Sequence, residues 1–358
     1  MLEGTTVWID ITTPKDVRLF RALGEKLIKL GAAVEYTARK HGEILKLMKR
    51  FKMSYHAVGR YGGWRKLDKL LSSSKRIEKL ASLISRRKPS VHVSFSSPEG
   101  CRVAFGLGIP IICVNDTPHA YHVGKLTLPL ADYVVTPAAI PVEKFEALGA
   151  KRSRIVQYNG VDEVAWMKSE KPNPDELLKL GIDPDKKLVL VRPEESFAAY
   201  LENIVDREKM YVEPVMEVAI NRGDCEVVFL PRYDEQARAV RRRYRRRVKV
   251  PQRVVDTASI YSFCTLVVSG GGTMAREAAL VGTPSICCFP GGELDVNRFL
   301  IERGFPIWHA SSYYQAAGIA EKILDAPGQF KVNTKGALAE LEDPIPVLVR
   351  LIEKVSSS

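Results

Sequence analysis

The residues best suited to chemistry lie in Ser269–Gly282, SGGGTMAREAALVG, directly after the apolar run Phe263–Val268. The order reads strand, glycine turn, helix. A glycine turn lets backbone N–H groups approach an anion closely, and the following helix points its positive end at the same place. Ser269, Gly270, Gly271, Gly272 and Thr273 would form that cradle. Glu277 would lie about two turns into the helix, where its carboxylate could reach the hydroxyls of whatever carries the phosphate. The outline is that of a nucleotide diphosphate site. An ordinary strand–helix turn also favours glycine, with Thr273 as its cap, and these residues alone leave both readings open.

Positioning such a turn needs a sheet, and the chain supplies alternating signals for one. Thr5–Ile11 is a β-branched strand, and Asp16–Leu30 has helical apolar spacing ended by Gly31. Strands follow at Ala33–Tyr36, Val91–Phe95, Pro110–Val114, Leu130–Thr136 and Arg154–Tyr158, with helices at Glu43–Phe51, Leu67–Arg87 and Pro98–Leu107 among them. Lys168–Lys187 is polar and proline-rich, and the rhythm restarts at Leu188–Val191. This alternation predicts an α/β fold of two doubly wound, mostly parallel domains. The expected boundaries are 1–167, a linker over 168–187, a second domain over 188–340, and a last helix in 341–358 that returns to the first domain. Ligands of such folds bind at the carboxyl ends of the strands.

Composition sets limits. The 358 residues are 46% apolar and 27% charged, ordinary for a globular protein. No apolar stretch approaches the ~18 residues of a membrane span, and MLEGTTVWIDI lacks the pattern of a secretory signal. The expectation is a cytoplasmic protein. Six cysteines without CxxC spacing read as small buried hydrophobes rather than zinc ligands or disulfides. Net charge is +12, and much of it falls in Arg241–Arg247, RRRYRRR. A run of seven helical residues covers every face, so it cannot be buried. It reads as a solvated helix end, as a contact for an anionic membrane surface or acidic substrate, or as the arginine-rich surface of a thermophile. The lack of aromatic interleaving beyond Tyr244 disfavours nucleic acid.

At SGGGTMAREAALVGTP, followed by Asp295, Asn297 and Arg298 in ELDVNRFLIERG, the chain resembles the donor half of a GT-B fold. Its named relatives are the UDP-N-acetylglucosamine 2-epimerases and the lipid-linked N-acetylglucosamine transferase of peptidoglycan synthesis. With WIDITTPKDVRLF and NDTPHAYH added, the whole chain is similar to an uncharacterised prokaryotic domain family with GT-B relatives. The resemblance implies two domains facing a cleft, with Glu277 on the ribose hydroxyls and Asp295 and Asn297 on the donor sugar. RPEESF after Leu188–Val191 resembles the arginine turn of the epimerases, which implies Arg192 on the pyrophosphate, with Ser196 beside it. Guanidinium suits that role because it is always charged and forks onto two oxygens. Arg232 in PRYD is a further candidate. Asn159–Val161, in YNGVDEV, resembles a structural crossover.

Two chemistries then compete. Where the epimerases carry acids at N-terminal strand ends, this chain has Ser96, Ser97 and Asn115, which speaks against epimerisation. A transferase must hold its diphosphate leaving group and deprotonate an acceptor. Candidates for that base are Asp16, which matches a histidine of the related transferase and otherwise reads as a helix cap, and His119 and Asp116. His122 would share a helical face with His119, yet no third metal ligand is in view. No Asp-x-Asp metal motif follows an N-terminal strand, so neither metal nor cofactor is expected. The reading is a metal-independent glycosyltransferase using a nucleotide sugar, UDP-linked by resemblance. Its acceptor would be polyprenyl-linked or otherwise acidic, with peripheral membrane contact through Arg241–Arg247. Epimerisation or hydrolysis of the nucleotide sugar, and a non-catalytic nucleotide- or RNA-binding module, remain the alternatives.

Overall fold

A computed structural model describes residues 2–195, 210 and 212–357. It divides into two compact units: Met1–Trp166 together with Glu342–Ser358, and Met167–Leu341.

The first unit is built on seven parallel strands, β1 (Thr6–Ile11), β2 (Ala33–Lys40), β3 (His56–Arg60), β4 (Val91–Ser94), β5 (Ile111–Val114), β6 (Tyr133–Pro137) and β7 (Ile155–Tyr158). Their order across the sheet is β3-β2-β1-β4-β5-β6-β7. Parallel strands with helices on both faces are buried on both sides, and β1, β4 and β5 are accordingly buried almost throughout, β1 and β5 with mostly apolar side chains. The helix Pro14–Lys29 starts on a capping box between Thr13 and Asp16 with proline in its first turn, and buries Val17, Phe20, Leu23 and Leu27. The strand order reverses between β1 and β4. Asp10 and Ser94 sit opposite each other there, and a buried polar group locks the junction. Arg76 donates to both oxygens of Asp10, at 2.6 and 3.0 Å, and Thr37 and Ser97 add hydrogen bonds of 2.5 and 2.6 Å. Burial alone would raise the Asp10 carboxyl, but Arg76 and these donors hold it below the usual carboxylate range.

The second unit has β8 (Lys187–Arg192), β9 (Cys225–Phe229), β10 (Val248–Lys249), β11 (Leu266–Ser269), β12 (Ser285–Cys287) and β13 (Ile307–His309), parallel, in the order β10-β9-β8-β11-β12-β13. Its reversal falls between β8 and β11. Val189, Val191, Phe229, Leu266 and Val268 form its core with Val215, Met216 and Ile323 from the helices Glu213–Arg222 and Tyr313–Asp325. Residues 168–187 belong to this unit. The helix Asp175–Leu180 lies within them, and its buried Glu176 pairs with Arg253 at 3.1 Å.

The chain leaves the first unit and comes back to it. Lys168 donates to the carbonyl of Leu341 at 2.5 Å, so the two ends of the second unit are adjacent. In the first unit, Glu342 bonds to Asn159, and an added Cβ on Gly160 would fall 3.1 Å from the Glu342 carbonyl carbon and nearer still to its oxygen. The last helix, Pro344–Ser356, buries Ile345, Leu348 and Ile352 and packs beside Pro14–Lys29.

The doubly wound α/β class is the one expected, while several local readings change. Three short strands, β3, β10 and β13, had no clear signal. The arginine run is not one helix: Asp234–Tyr244 ends at buried Tyr244, and Arg245 turns at a φ of 51°. All six arginines are exposed, and Arg243 is engaged with Glu213 and Glu217. Among the described residues, no helix is long and apolar enough to cross a membrane, and five of the six cysteines are buried and all are unpaired.

Candidate functional site

In the second unit, the ends of β8 and β11 meet at the reversal point, where Arg192 pairs with Ser269 and the Gly270 amide donates to the Arg192 carbonyl at 2.9 Å. Room, not a special φ, explains the first glycine. A Cβ on Gly270 would lie 2.5 Å from Glu194 Cα and closer to its amide nitrogen. Gly271 is the N-cap of the helix Gly272–Leu280, with an extended φ of −148° and no side-chain cap. Thr273 therefore lies inside the first turn and is not the cap. The Gly271 amide reaches Ser269 Oγ at 3.3 Å.

Arginines gather at this turn. A Cβ on Gly272 would fall 3.2 Å from Arg276 Cζ and closer to Nη1, so the Arg276 side chain folds back over the first turn of its own helix. It is 3% exposed and donates to Asn297 Oδ1 at 3.2 Å. Arg232 is held by the Pro193 carbonyl at 2.8 Å and Glu195 at 3.3 Å, with Nη2 3.5 Å from where a Gly271 Cβ would stand. Arg192 reaches toward the Pro231 carbonyl, 3.5 Å away. Two guanidinium groups beside the uncapped helix start, and a third at the adjacent strand end, make a strongly anion-attracting place.

Glu277 is buried at 2% and accepts a 2.6 Å hydrogen bond from Tyr261, whose carbonyl accepts from Thr283. Asp295 starts the helix Asp295–Ile301 and is half-buried. Asn297 is fully buried, and its carbonyl oxygen orients Arg276. The resemblance assigned Asn297 to the donor sugar; here it lies buried against the Arg276 guanidinium. Ser196 lies outside the described residues.

In the first unit, the candidate bases separate. Asp16 accepts from the amides of Thr12 and Thr13 at 2.8 and 2.9 Å and from both hydroxyls at 3.1 and 2.5 Å, with no exposure. Burial pushes its carboxyl up against these donors. The geometry is that of a cap, closed to an incoming hydroxyl. His119 is exposed in the turn before the helix Tyr121–Thr127, so it shares no helical face with His122. No group of three metal-ligating side chains occurs among the described residues. Ser96, Ser97 and Asn115 serve one another and the fold: Asn115 donates to Ser96 at 2.8 Å, and Ser97 caps the helix Pro98–Gly106.

Asp116 lies in a group assembled by the fold around Lys15. Lys15 Nζ stands 2.6 Å from Asp116, 2.8 Å from Asp162, 3.8 Å from Glu163 and 4.3 Å from the centre of the Phe95 ring. Tyr158 donates to the other Asp162 oxygen at 2.6 Å. Burial, then the charges of Asp116 and Glu163, outweigh Lys15 and push Asp162 up to about 6. Lys15, Asp116 and Asp162 come from the chain just beyond β1, β5 and β7, the carboxyl edge of the sheet. One ammonium serving three buried carboxylates is an acid–base group able to hold a proton near neutral pH. Asp162 and Glu163 follow the crossover-like Asn159–Val161, and only the fold brings them against Lys15.

The match to the family described as "Protein of unknown function (DUF354)" runs from residue 5 to residue 356. The chain belongs to that family. An uncharacterized protein of Methanocaldococcus jannaschii is 32% identical over 347 residues, 96% of each chain. Among solved structures, the UDP-GlcNAc 2-epimerase of Methanocaldococcus jannaschii in complex with UDP-GlcNAc and UDP is similar, with a TM-score of 0.70 and 15% identity over 98% of this chain and 100% of that one. Anabaena HepE in complex with UDP and glucose has a TM-score of 0.65 and 13% identity over 99% and 100%. At such identities the likeness is one of fold, and it places this DUF354 member among GT-B-like α/β proteins, as its motifs implied.

Proposed function

We propose that this DUF354 protein binds a nucleotide diphosphate sugar at the glycine turn of its second unit and transfers the sugar to an acceptor hydroxyl without a metal ion. The observation that carries the reading is the pairing of Arg232 and Arg276 beside an uncapped helix start, with Arg192 at the adjacent strand end, where Gly270 admits no side chain. A diphosphate matches that charge. Glu277, held by Tyr261, is the group we assign to the ribose hydroxyls, and the UDP named with the structural neighbours makes uridine the first base to test.

In the transfer, the acceptor oxygen attacks the anomeric carbon, and the bond from that carbon to the phosphate oxygen breaks. The nucleotide diphosphate leaves with the electron pair, stabilised by the arginines and helix amides. Asp116 takes the acceptor proton, with Lys15 and Asp162 tuning its basicity. A polyprenyl-linked or other acidic acceptor is compatible with this scheme.

A second reading, epimerisation or hydrolysis of the same nucleotide sugar, gains from Asp162 and Glu163, which supply acids that strand-end positions 96, 97 and 115 lack. A thermal-shift screen over nucleotide sugars tests the donor site, because a ligand raises the melting temperature as its concentration exceeds its dissociation constant. If no UDP-, GDP-, dTDP- or CDP-sugar shifts it, the proposal fails. With a binding sugar nucleotide and no acceptor, rapid nucleoside diphosphate release or a new epimer would replace transfer by the second reading.

A further inference from the structure

The helix Lys66–Arg87 buries only Arg76, Leu80 and Ile84 against the first unit. At ~100° per residue, Leu67 and Leu71 fall roughly on the opposite side, and Leu70 lies at the flank between them and the buried stripe. They are 64%, 65% and 49% exposed, and Trp64, just before the helix, is 51% exposed. Large apolar side chains exposed singly need no explanation, but four within eight residues do. The same stretch carries Arg60, Arg65, Lys66, Lys69 and Lys75 against one acid, Asp68. An apolar face with an indole at its end and cations around it has the makings of an interfacial helix.

Topology adds to this. The helix follows β3 of a parallel sheet, so its first turns start at the carboxyl edge. Lys15, Asp116 and Asp162 stand at that same edge. By contrast, Arg241–Arg247 supplies charge with no exposed apolar side chain in the run. Charge alone gives weak, salt-sensitive attraction, and stable seating on a bilayer needs apolar insertion as well.

We propose that Trp64, Leu67, Leu70 and Leu71, ringed by Arg65, Lys66 and Lys69, seat the first unit on an anionic lipid bilayer surface. The side chains enter the headgroup boundary, and the cations meet lipid phosphates. The inference does not depend on the nucleotide-sugar reading, and its test involves no nucleotide.

The full-length protein is mixed with vesicles of phosphatidylcholine, alone or blended with phosphatidylglycerol, and sedimented. Binding is expected to the blended vesicles, to weaken with salt, and to bring a blue shift in tryptophan emission. The variant W64S/L67S/L70S/L71S alters only exposed side chains, and its far-UV circular dichroism and melting temperature should match those of the parent. Its vesicle affinity should fall by about tenfold or more. Substituting Ser at Arg241, Arg242, Arg245 and Arg246 should leave most of the affinity in place. Failure to bind blended vesicles at low salt overturns the proposal. So does equal binding by the Trp64–Leu71 variant, or dependence on the arginine run alone. Concentration-dependent self-association of the parent that the serine variant abolishes would give the patch to a second copy of the chain instead.

Discussion

Substituting alanine at Gly270 and at Gly271 should have opposite consequences, although the residues are neighbours. At Gly270 the new Cβ would meet the Glu194 backbone, with Cα at 2.5 Å, and backbone atoms cannot step aside as a flexible side chain can. Overpacking of this kind costs about 1–3 kcal/mol, and relief requires β8 and β11 to separate. At Gly271 the backbone is extended, and the nearest atom to a new Cβ is Arg232 Nη2 at 3.5 Å, an ordinary contact. The folding cost there is the loss of a favoured N-cap residue, about 1 kcal/mol or less. That methyl would stand between the helix amides and Arg232, where the diphosphate is proposed to lie. Losing one charge-assisted hydrogen bond costs about 1.5–3 kcal/mol, which is about 10- to 150-fold in dissociation constant. Denaturant titration and calorimetry with UDP separate the effects. Gly271→Ala should fold nearly as the parent and bind UDP at least about tenfold more weakly. A Gly271→Ala protein with unchanged UDP affinity would show that the turn is not the phosphate cradle.

Removing the Tyr261 hydroxyl with Phe strips the buried Glu277 of a donor. It should cost about 1–3 kcal/mol in denaturant titration and weaken UDP more than inorganic diphosphate in calorimetry. Asp116→Asn should lower turnover of the nucleotide sugar identified by thermal shift by about 100-fold or more, whereas Asp16→Asn should chiefly lower stability, by about 1 kcal/mol through the cap; equal losses of turnover would reject the choice of base. The folded protein holds the Asp162 proton more tightly than the unfolded chain does, at about 6 against 3.8. Its contribution to stability is therefore complete below about pH 4 and is lost as pH rises through 6, about 3 kcal/mol in all. Asp162→Asn should flatten that part of the stability profile measured by urea unfolding between pH 4 and 7, and an unchanged slope would place the shared proton on Asp116 or Glu163.

The doubly wound architecture was legible because parallel strands buried on both faces leave apolar runs such as VWIDI and LVLV, and because Pro14, Gly31 and Pro98 mark helix limits. β13, three residues long, and β3, HAVGR, carry too few apolar side chains to register. The candidate sites divide along a similar line. The glycine turn is contiguous, so its form is visible in a string of letters. Arg276 is adjacent to Glu277 in that string, yet its value lies in folding back over Gly272 onto Asn297, a path no spacing rule encodes. Lys15, Asp116 and Asp162 are separated by 101 and 46 positions in the sequence, and only the fold makes them neighbours. The exposed leucines of Lys66–Arg87 resemble core positions in spacing. Their exposure appears only once Arg76, Leu80 and Ile84 are seen to take the inward side.

The return of the chain from Leu341 to Glu342 has a consequence for its synthesis. The second unit is one uninterrupted segment whose ends meet at Lys168 and Leu341, so it can close as soon as it emerges from the ribosome. The first unit emerges earlier but lacks the helix Pro344–Ser356 until the second unit has been made. The buried faces of Ile345, Leu348 and Ile352 therefore arrive last on a domain begun first. Domains made first ordinarily finish first; here the order is reversed, and a ribosome stalled before residue 342 would hold a finished second unit joined to an unfinished first one.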